Sequence, residues 1–247
     1  MLTFERFYGE YPSPFISGFT PIYARLVAIS KFLIGLCLLI ASVTCISSAA
    51  QGQDGQQEIT LVALGDSLTA GYGLAPADGF TPKLETYLRA QGLAVRVVNG
   101  GVSGDTSSGG LARFDWVVPD EADAIIIELG ANDALRGINP DVTRANLTQI
   151  IEKSRERGLA ILLAGMLAPP NLGPAYGKRF ADIYPDLAST YGVAFYPFFL
   201  DGVAAQKSLN LSDRIHPNAA GIDVIIARIG PYAESLVSSV ISRKESK

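Results

Sequence analysis

The chain has one histidine, His216, and it lies in Asp213-Arg214-Ile215-His216-Pro217-Asn218, far downstream of a serine in Leu64-Gly65-Asp66-Ser67-Leu68-Thr69. A serine hydroxyl ionises far above neutrality and becomes a nucleophile only with a base beside it, and imidazole is the side chain that exchanges a proton near pH 7. If Ser67 is a nucleophile, its base is His216. Asp213, three residues upstream, is spaced to share a turn with His216 and orient its ring, giving the order Ser, Asp, His. Neither segment decides alone, because a histidine near a helix start also serves as a cap and Gly-Asp-Ser is a common turn. Two further segments, Asn99-Gly100-Gly101-Val102-Ser103-Gly104-Asp105 and Leu129-Gly130-Ala131-Asn132-Asp133, supply the donors that acyl-transfer chemistry also needs.

Together, Gly65-Asp66-Ser67-Leu68, Gly104, Gly130-Ala131-Asn132-Asp133 and Asp213-Arg214-Ile215-His216-Pro217 resemble the four ordered blocks of the SGNH (GDSL) hydrolase family, over a span from about Glu58 to the C-terminus. Within it, Ala63-Leu64-Gly65-Asp66-Ser67-Leu68-Thr69-Ala70-Gly71-Tyr72-Gly73-Leu74 is similar to the bacterial thioesterase I, arylesterase and lysophospholipase branch. The resemblance implies an α/β, three-layer flavodoxin-like fold with a parallel five-stranded sheet, and esters, acyl thioesters and lysophospholipids as the substrate class. Arg214 departs from the branch, which usually has glycine there. It leaves the Asp-x-x-His spacing intact and puts a cation beside the site.

In such a site Ser67 attacks an acyl carbonyl as His216 takes its proton, and Asp213 accepts from the other ring nitrogen and stabilises the imidazolium. The oxyanion donors are the backbone N–H of Ser67, the backbone N–H of Gly104, where no Cβ blocks close approach, and the side-chain amide of Asn132. For Gly104 the competing reading is a glycine that serves only its turn. Asp66 and Asp133 are read as loop-fixing acceptors rather than acids, and Trp116 as a core residue on an apolar helix face. With one histidine, and no cysteine beyond the N-terminal segment, no metal site is expected, nor any cofactor; a phosphate-cradling Gly-x-x-x-x-Gly-Lys-Ser/Thr is absent.

The leading function is therefore a serine esterase working through an acyl-enzyme. The alternatives are a carbohydrate O-acetyl esterase and, from another class, a non-catalytic binding protein on the same fold. The latter requires a damaged site, whereas every catalytic position here is filled. Gly165-Met166-Leu167-Ala168-Pro169-Pro170-Asn171-Leu172-Gly173-Pro174 favours the first, since it lays an apolar wall where an acyl chain would run.

The elements that must position these residues alternate: short apolar runs and longer amphipathic segments, the pattern of a parallel sheet covered on both faces. The spacing predicts strands at Ile59-Leu64, Val95-Asn99, Ala124-Leu129, Ala160-Gly165 and Ala194-Tyr196, all buried on both faces. Helices are expected at about Pro76-Gln91, Ser108-Val118, Pro140-Arg157, Pro174-Tyr191 and Pro217-Ser239, with Gly92 and Gly158 ending two of them. Ligands of open α/β sheets bind beyond the carboxyl ends of the strands, where Ser67, Gly104 and Asn132 all fall.

At 247 residues and 48% apolar content the chain accommodates one large core. Residues 58–247 read as a single hydrolase domain behind a polar linker, 51–57, and a leader, 1–50. In that leader Arg25 and Lys31 precede an uncharged, apolar stretch ending in Ser48-Ala49-Ala50, the order of a secretory signal peptide, so a periplasmic or secreted enzyme is expected. The alternative is an uncleaved inner-membrane anchor. Both cysteines, Cys37 and Cys45, fall in the leader, which leaves the domain without a disulfide. Setting aside Arg6, Arg25, Lys31, Glu5 and Glu10, the chain from Gln51 onward has 17 basic and 22 acidic residues, a net of −5. That charge gives it no electrostatic reason to bind nucleic acid or an anionic membrane; the partner expected is a small-molecule ester or thioester, and oligomeric state is not legible.

Overall fold

The computed structural model describes residues 57–246. The leader, and the linker up to residue 56, lie outside the described residues.

Five parallel strands form one sheet: β1 (Ile59–Gly65), β2 (Val95–Gly101), β3 (Ala124–Glu128), β4 (Ala160–Ala164) and β5 (Ala194–Tyr196), in the order β2-β1-β3-β4-β5. β1 and β3, both central, are wholly buried, as their unbroken apolar runs require. β2 and β5 are the edges, and most of their residues are half-buried or exposed; the expectation that every strand is buried on both faces fails there because an edge strand has one neighbour and a partly open flank.

The helices are α1 (Ser67–Ala70), α2 (Phe80–Ala90), α3 (Ser107–Ala112), α4 (Phe114–Val117), α5 (Ala131–Leu135), α6 (Pro140–Glu156), α7 (Pro174–Ala181), α8 (Ile183–Tyr191) and α9 (Ala219–Glu245). The chain moves one way along the sheet from β1 to β2 and the other way from β2 through β5, so right-handed crossovers place α2 on one face and α6 and α8 on the opposite one. α9 packs on α2 and α3 on α6, completing three layers. The core lies between them, with Ile222, Ile225, Ile229 and Val237 of the long apolar α9 buried and the Phe80 and Phe199 rings meeting edge to face at 5.0 Å. Gly92 and Gly158 follow their helices at φ 82° and 71°, the left-handed conformation that suits glycine.

Three predicted helices are broken. A 3-10 turn, Pro76–Asp78, precedes α2; α3 and α4 are separated at Arg113; α7 and α8 are separated at Asp182. Trp116 on α4 is 87% exposed, not core: α4 is a single turn and buries Phe114 instead.

The reversal of strand order falls between β1 and β3, where the chain leaves the sheet in opposite directions and opens a crevice at the carboxyl edge. Ser67 follows β1 and Asn132 follows β3. Each is placed at the crevice by the strand before it.

Candidate active site

β1 ends at Gly65, one residue short of a sharp turn, and Ser67 opens α1 rather than ending the strand. Asp66 caps α1, its Oδ1 accepting from the Leu68 N–H at 2.9 Å, and Gly71 closes it at φ 78°. Gly65 cannot carry a side chain: a Cβ there would stand 2.0 Å from Thr69 Oγ1 and 2.6 Å from Glu128 Oε2. The turn is therefore packed from below, and Ser67 is 9% exposed at its apex.

His216 reaches Ser67 from the far end of the chain. Its loop is pinned by Leu211 N–H donating to the His216 carbonyl at 2.7 Å and Asn218 N–H donating to Leu209 at 2.9 Å. Asn218 then caps α9 by accepting from Gly221 N–H. The ring's Nδ1 lies 2.7 Å from Asp213 Oδ2 and its Nε2 2.9 Å from Ser67 Oγ. The backbone N–H groups of Ile215 and then His216, with the His216 side chain, draw the Asp213 carboxyl down to about 2. An ionised carboxylate only accepts, so the proton sits on Nδ1; Nε2 of the neutral ring is then the acceptor and Ser67 the donor. This is the proton arrangement a serine nucleophile requires.

Arg214, between Asp213 and His216, takes φ 62°, a left-handed conformation costly for a residue with a Cβ. Asp213 Oδ1 holds that turn by accepting from the N–H of Ile215 at 2.9 Å and of His216 at 3.0 Å. The Asp-x-x-His geometry survives the arginine, at a conformational cost.

Asn132 sits in α5 and donates from Nδ2 to Asp66 Oδ2 at 3.0 Å. It lines, with Ser67 and His216, a cavity of about 340 Å³ whose walls are mainly apolar: Met166, Leu167, Ala168 and Pro169 from the loop after β4, together with Leu135 and Ile215. The loop from Gly165 thus forms the expected apolar wall. Gly104 is not brought into that lining. It is exposed, and its carbonyl accepts from Arg136 Nη2 at 2.8 Å. Among the described residues nothing crowds its Cβ position nearer than 3.8 Å, whereas its φ of 87° does demand glycine. Conformation is by itself sufficient reason for glycine at this position.

Two supports were missed in the sequence. Arg113, only 14% exposed at its side chain, donates to the carbonyls of Gly65 at 2.8 Å and Gly100 at 2.7 Å and pairs with Asp105 at 2.5 Å, tying the ends of β1 and β2 to the Gly104 loop. The signal available was an arginine inside a predicted apolar helix. Glu128, the last residue of β3, is completely buried, its Oε2 accepting from Thr69 Oγ1 at 2.8 Å and from the Asp66 N–H at 3.4 Å. Burial, then the charge of Asp66, raises its carboxyl well above the usual range. Asp133 behaves as the expected loop-fixing acceptor: it takes the N–H and hydroxyl of Ser107 and the Thr143 hydroxyl, joining the β3 exit to α3 and α6.

Residues 63–224 match the model of the GDSL-like Lipase/Acylhydrolase family. Esterase TesA of Pseudomonas aeruginosa is 38% identical over 179 residues, 72% of this chain and 89% of that protein. The Escherichia coli protein named thioesterase 1/protease 1/lysophospholipase L1 is 36% identical over 64% of this chain and 76% of its own length. Among solved structures, AlinE4, described as an SGNH-hydrolase family esterase, is 42% identical with a TM-score of 0.63, covering 74% of this chain and 98% of its own. With the parallel sheet, the serine at its first turn and these relatives in agreement, the chain belongs to the GDSL-like lipase/acylhydrolase family, the SGNH hydrolases, and is a hydrolase of esters.

Proposed function

We propose that Ser67 is the nucleophile of a carboxylic ester hydrolase, with His216 as its base and Asp213 as the acid that orients His216. The observation that carries this reading is the unbroken series Asp213–His216–Ser67, with contacts of 2.7 and 2.9 Å, ending at an apolar cavity. Ser67 Oγ bonds to the acyl carbon as its proton passes to Nε2; the carbonyl electrons become an oxyanion; the leaving alcohol or thiol then takes the proton from Nε2, and the acyl-serine remains. Water repeats the sequence and frees the acid. The oxyanion is held by the N–H of Ser67, the N–H of Gly104 and the amide of Asn132; removing one such donor costs about 3 kcal/mol in the transition state.

The substrate is an ester whose acyl group is apolar, since the wall from Met166 to Pro169 gives a sugar ring few hydrogen-bonding partners. Aryl esters, acyl thioesters and lysophospholipids are the compounds to test first. We also propose that residues 58–247 act as one catalytic domain outside the cytoplasm, once a signal peptide ending near Ala50 is removed; the support is the order of charge, apolar run and small residues.

A series of p-nitrophenyl esters from acetyl to palmitoyl, with fluorophosphonate labelling in parallel, tests the proposal. Activity that rises beyond acetyl and a label confined to Ser67 agree with it. Activity restricted to acetyl esters would favour an O-acetyl esterase, and labelling that persists in Ser67→Ala would remove the nucleophile assignment.

A further inference from the structure

Asp66 stands next to the nucleophile, wholly buried, and the hydrolytic steps give it nothing to do. Both of its oxygens are nevertheless committed. Oδ1 accepts from the Leu68 N–H at 2.9 Å, capping the helix whose first residue is Ser67. Oδ2 accepts from Asn132 Nδ2 at 3.0 Å. A primary amide has two N–H groups, and a bond to one of them fixes the plane of both. Asn132 faces the cavity beside Ser67, so the second N–H is the one left to meet an oxyanion. One carboxylate therefore grips two elements from opposite sides of the crevice, α1 after β1 and α5 after β3.

We propose that Asp66 is a positioning residue for the oxyanion hole: through Oδ2 it orients the Asn132 amide, and through Oδ1 it fixes the helix that presents the Ser67 N–H. The inference rests on the reading of Asn132 as an oxyanion donor.

Chemistry explains why a carboxylate is needed here. Both partners of Asp66 are N–H donors, so both oxygens must accept, whereas an asparagine would set its own amide hydrogens against one of them. A protonated Asp66 has the same defect, because one oxygen becomes a donor. The titratable groups around it are His216, which favours the carboxylate when protonated, Asp105, which opposes it and is paired with Arg113, and Glu128, whose own ionisation the Asp66 charge opposes. Burial is the largest influence and lifts the Asp66 carboxyl to about 6. Glu128 is fully enclosed and has no hydrogen-bond partner on Oε1 among the described residues. It is the member of the pair that keeps its proton, which leaves the charge on Asp66 where the two donors use it.

A double-mutant cycle of Asp66→Asn and Asn132→Ala, read as kcat and KM on a p-nitrophenyl ester, tests the coupling. Asn132→Ala should lose about 10²–10³ in kcat. Asp66→Asn should lose at least about tenfold in kcat with little change in KM, and no more than about threefold when added to Asn132→Ala. An equal loss in both backgrounds, or a loss confined to KM, would overturn the proposal. An Asn132→Ala enzyme that keeps its kcat would instead remove the oxyanion role of Asn132 on which the proposal rests.

Should Asp66→Asn fail to fold, the otherwise intact His216→Asn protein gives an independent readout. There the Asn132 side-chain amide signal in a nitrogen–proton spectrum, identified by its loss on Asn132→Ala, should titrate at or above about 6, because the cation that favoured the carboxylate is gone. A signal that stays flat from about pH 4.5 to pH 8, spanning ordinary and raised carboxyl values, would sink the coupling.

Discussion

The Tyr72 ring packs on the His216 imidazole with centroids 4.4 Å apart and planes tilted by 38°. Tyr72 lies just beyond Gly71, which ends α1, so the residue that covers the base belongs to the same short segment as the nucleophile. Ser67, Nε2 and the phenol are thereby held in one arrangement, and the ring has less freedom to rotate away from Asp213. An aromatic pair of this kind is worth about 0.5–1.5 kcal/mol, which corresponds to a change of about 2- to 12-fold in rate. Tyr72→Ala should lower kcat by that factor, and Tyr72→Phe should restore it. Equal losses in both variants would assign the effect to the hydroxyl instead of the ring.

Asp213→Asn should keep the fold and lose most of the activity. An asparagine Oδ1 can still accept from the N–H groups of Ile215 and His216, so the turn survives. Its Nδ2 then faces the ring nitrogen and drives the imidazole into the wrong tautomer, with a hydrogen on Nε2 pointing at Ser67. The expected loss in kcat is up to about 10⁴, with thermal unfolding close to wild type. A loss under about tenfold would assign the orienting role to another carboxylate.

Much of this site is legible in the sequence because its parts are local motifs at the ends of apolar runs. Ser67, Asn132 and the Asp213–His216 pair can be read from short spacings, and the strand that precedes each of the first two carries it to the crevice edge. What sequence does not expose is the far side of each contact. Glu128 reads as the polar end of an apolar strand, yet it faces inward beneath Gly65, because the missing Cβ of a residue 63 positions earlier leaves room for it. Arg113 looks like a surface residue of a longer helix; it stands instead at the break between α3 and α4, its guanidinium turned inward to the carbonyls of Gly65 and Gly100. Trp116 fails for a related reason. Its place on an apolar face assumed several continuous turns, and α4 has one.

Arg214→Gly tests the strained turn. The left-handed conformation costs a residue with a Cβ roughly 1–2 kcal/mol, while glycine adds back roughly 0.5–1 kcal/mol through the entropy of the unfolded chain. A net gain of about 0.5–1 kcal/mol in denaturant unfolding is expected, with kcat on a neutral ester within about threefold of wild type. A loss of stability would mean that the guanidinium makes a compensating contact worth more than the strain.

The buried acid beneath the nucleophile predicts how stability responds to pH. Glu128 has a folded-state value raised well above its unfolded value of 4.5, by burial and then by the charge of Asp66. Below the unfolded value both states bind the proton and the group contributes nothing. As pH rises above it, the unfolded chain releases the proton before the folded one does, so folding is progressively penalised until the folded value is passed. Glu128→Gln removes that titration while keeping an acceptor for Thr69. The melting temperature of the variant relative to wild type should therefore climb as pH rises above about 4.5, whatever the offset at the acid end. Asp66, raised to about 6, contributes a slope of the same sign over a narrower pH range in both proteins, and it does not cancel the difference. Melting curves that run parallel over this range would show that Glu128 titrates alike in the folded and unfolded chains, and the charge of the pair would then have to be divided differently between it and Asp66.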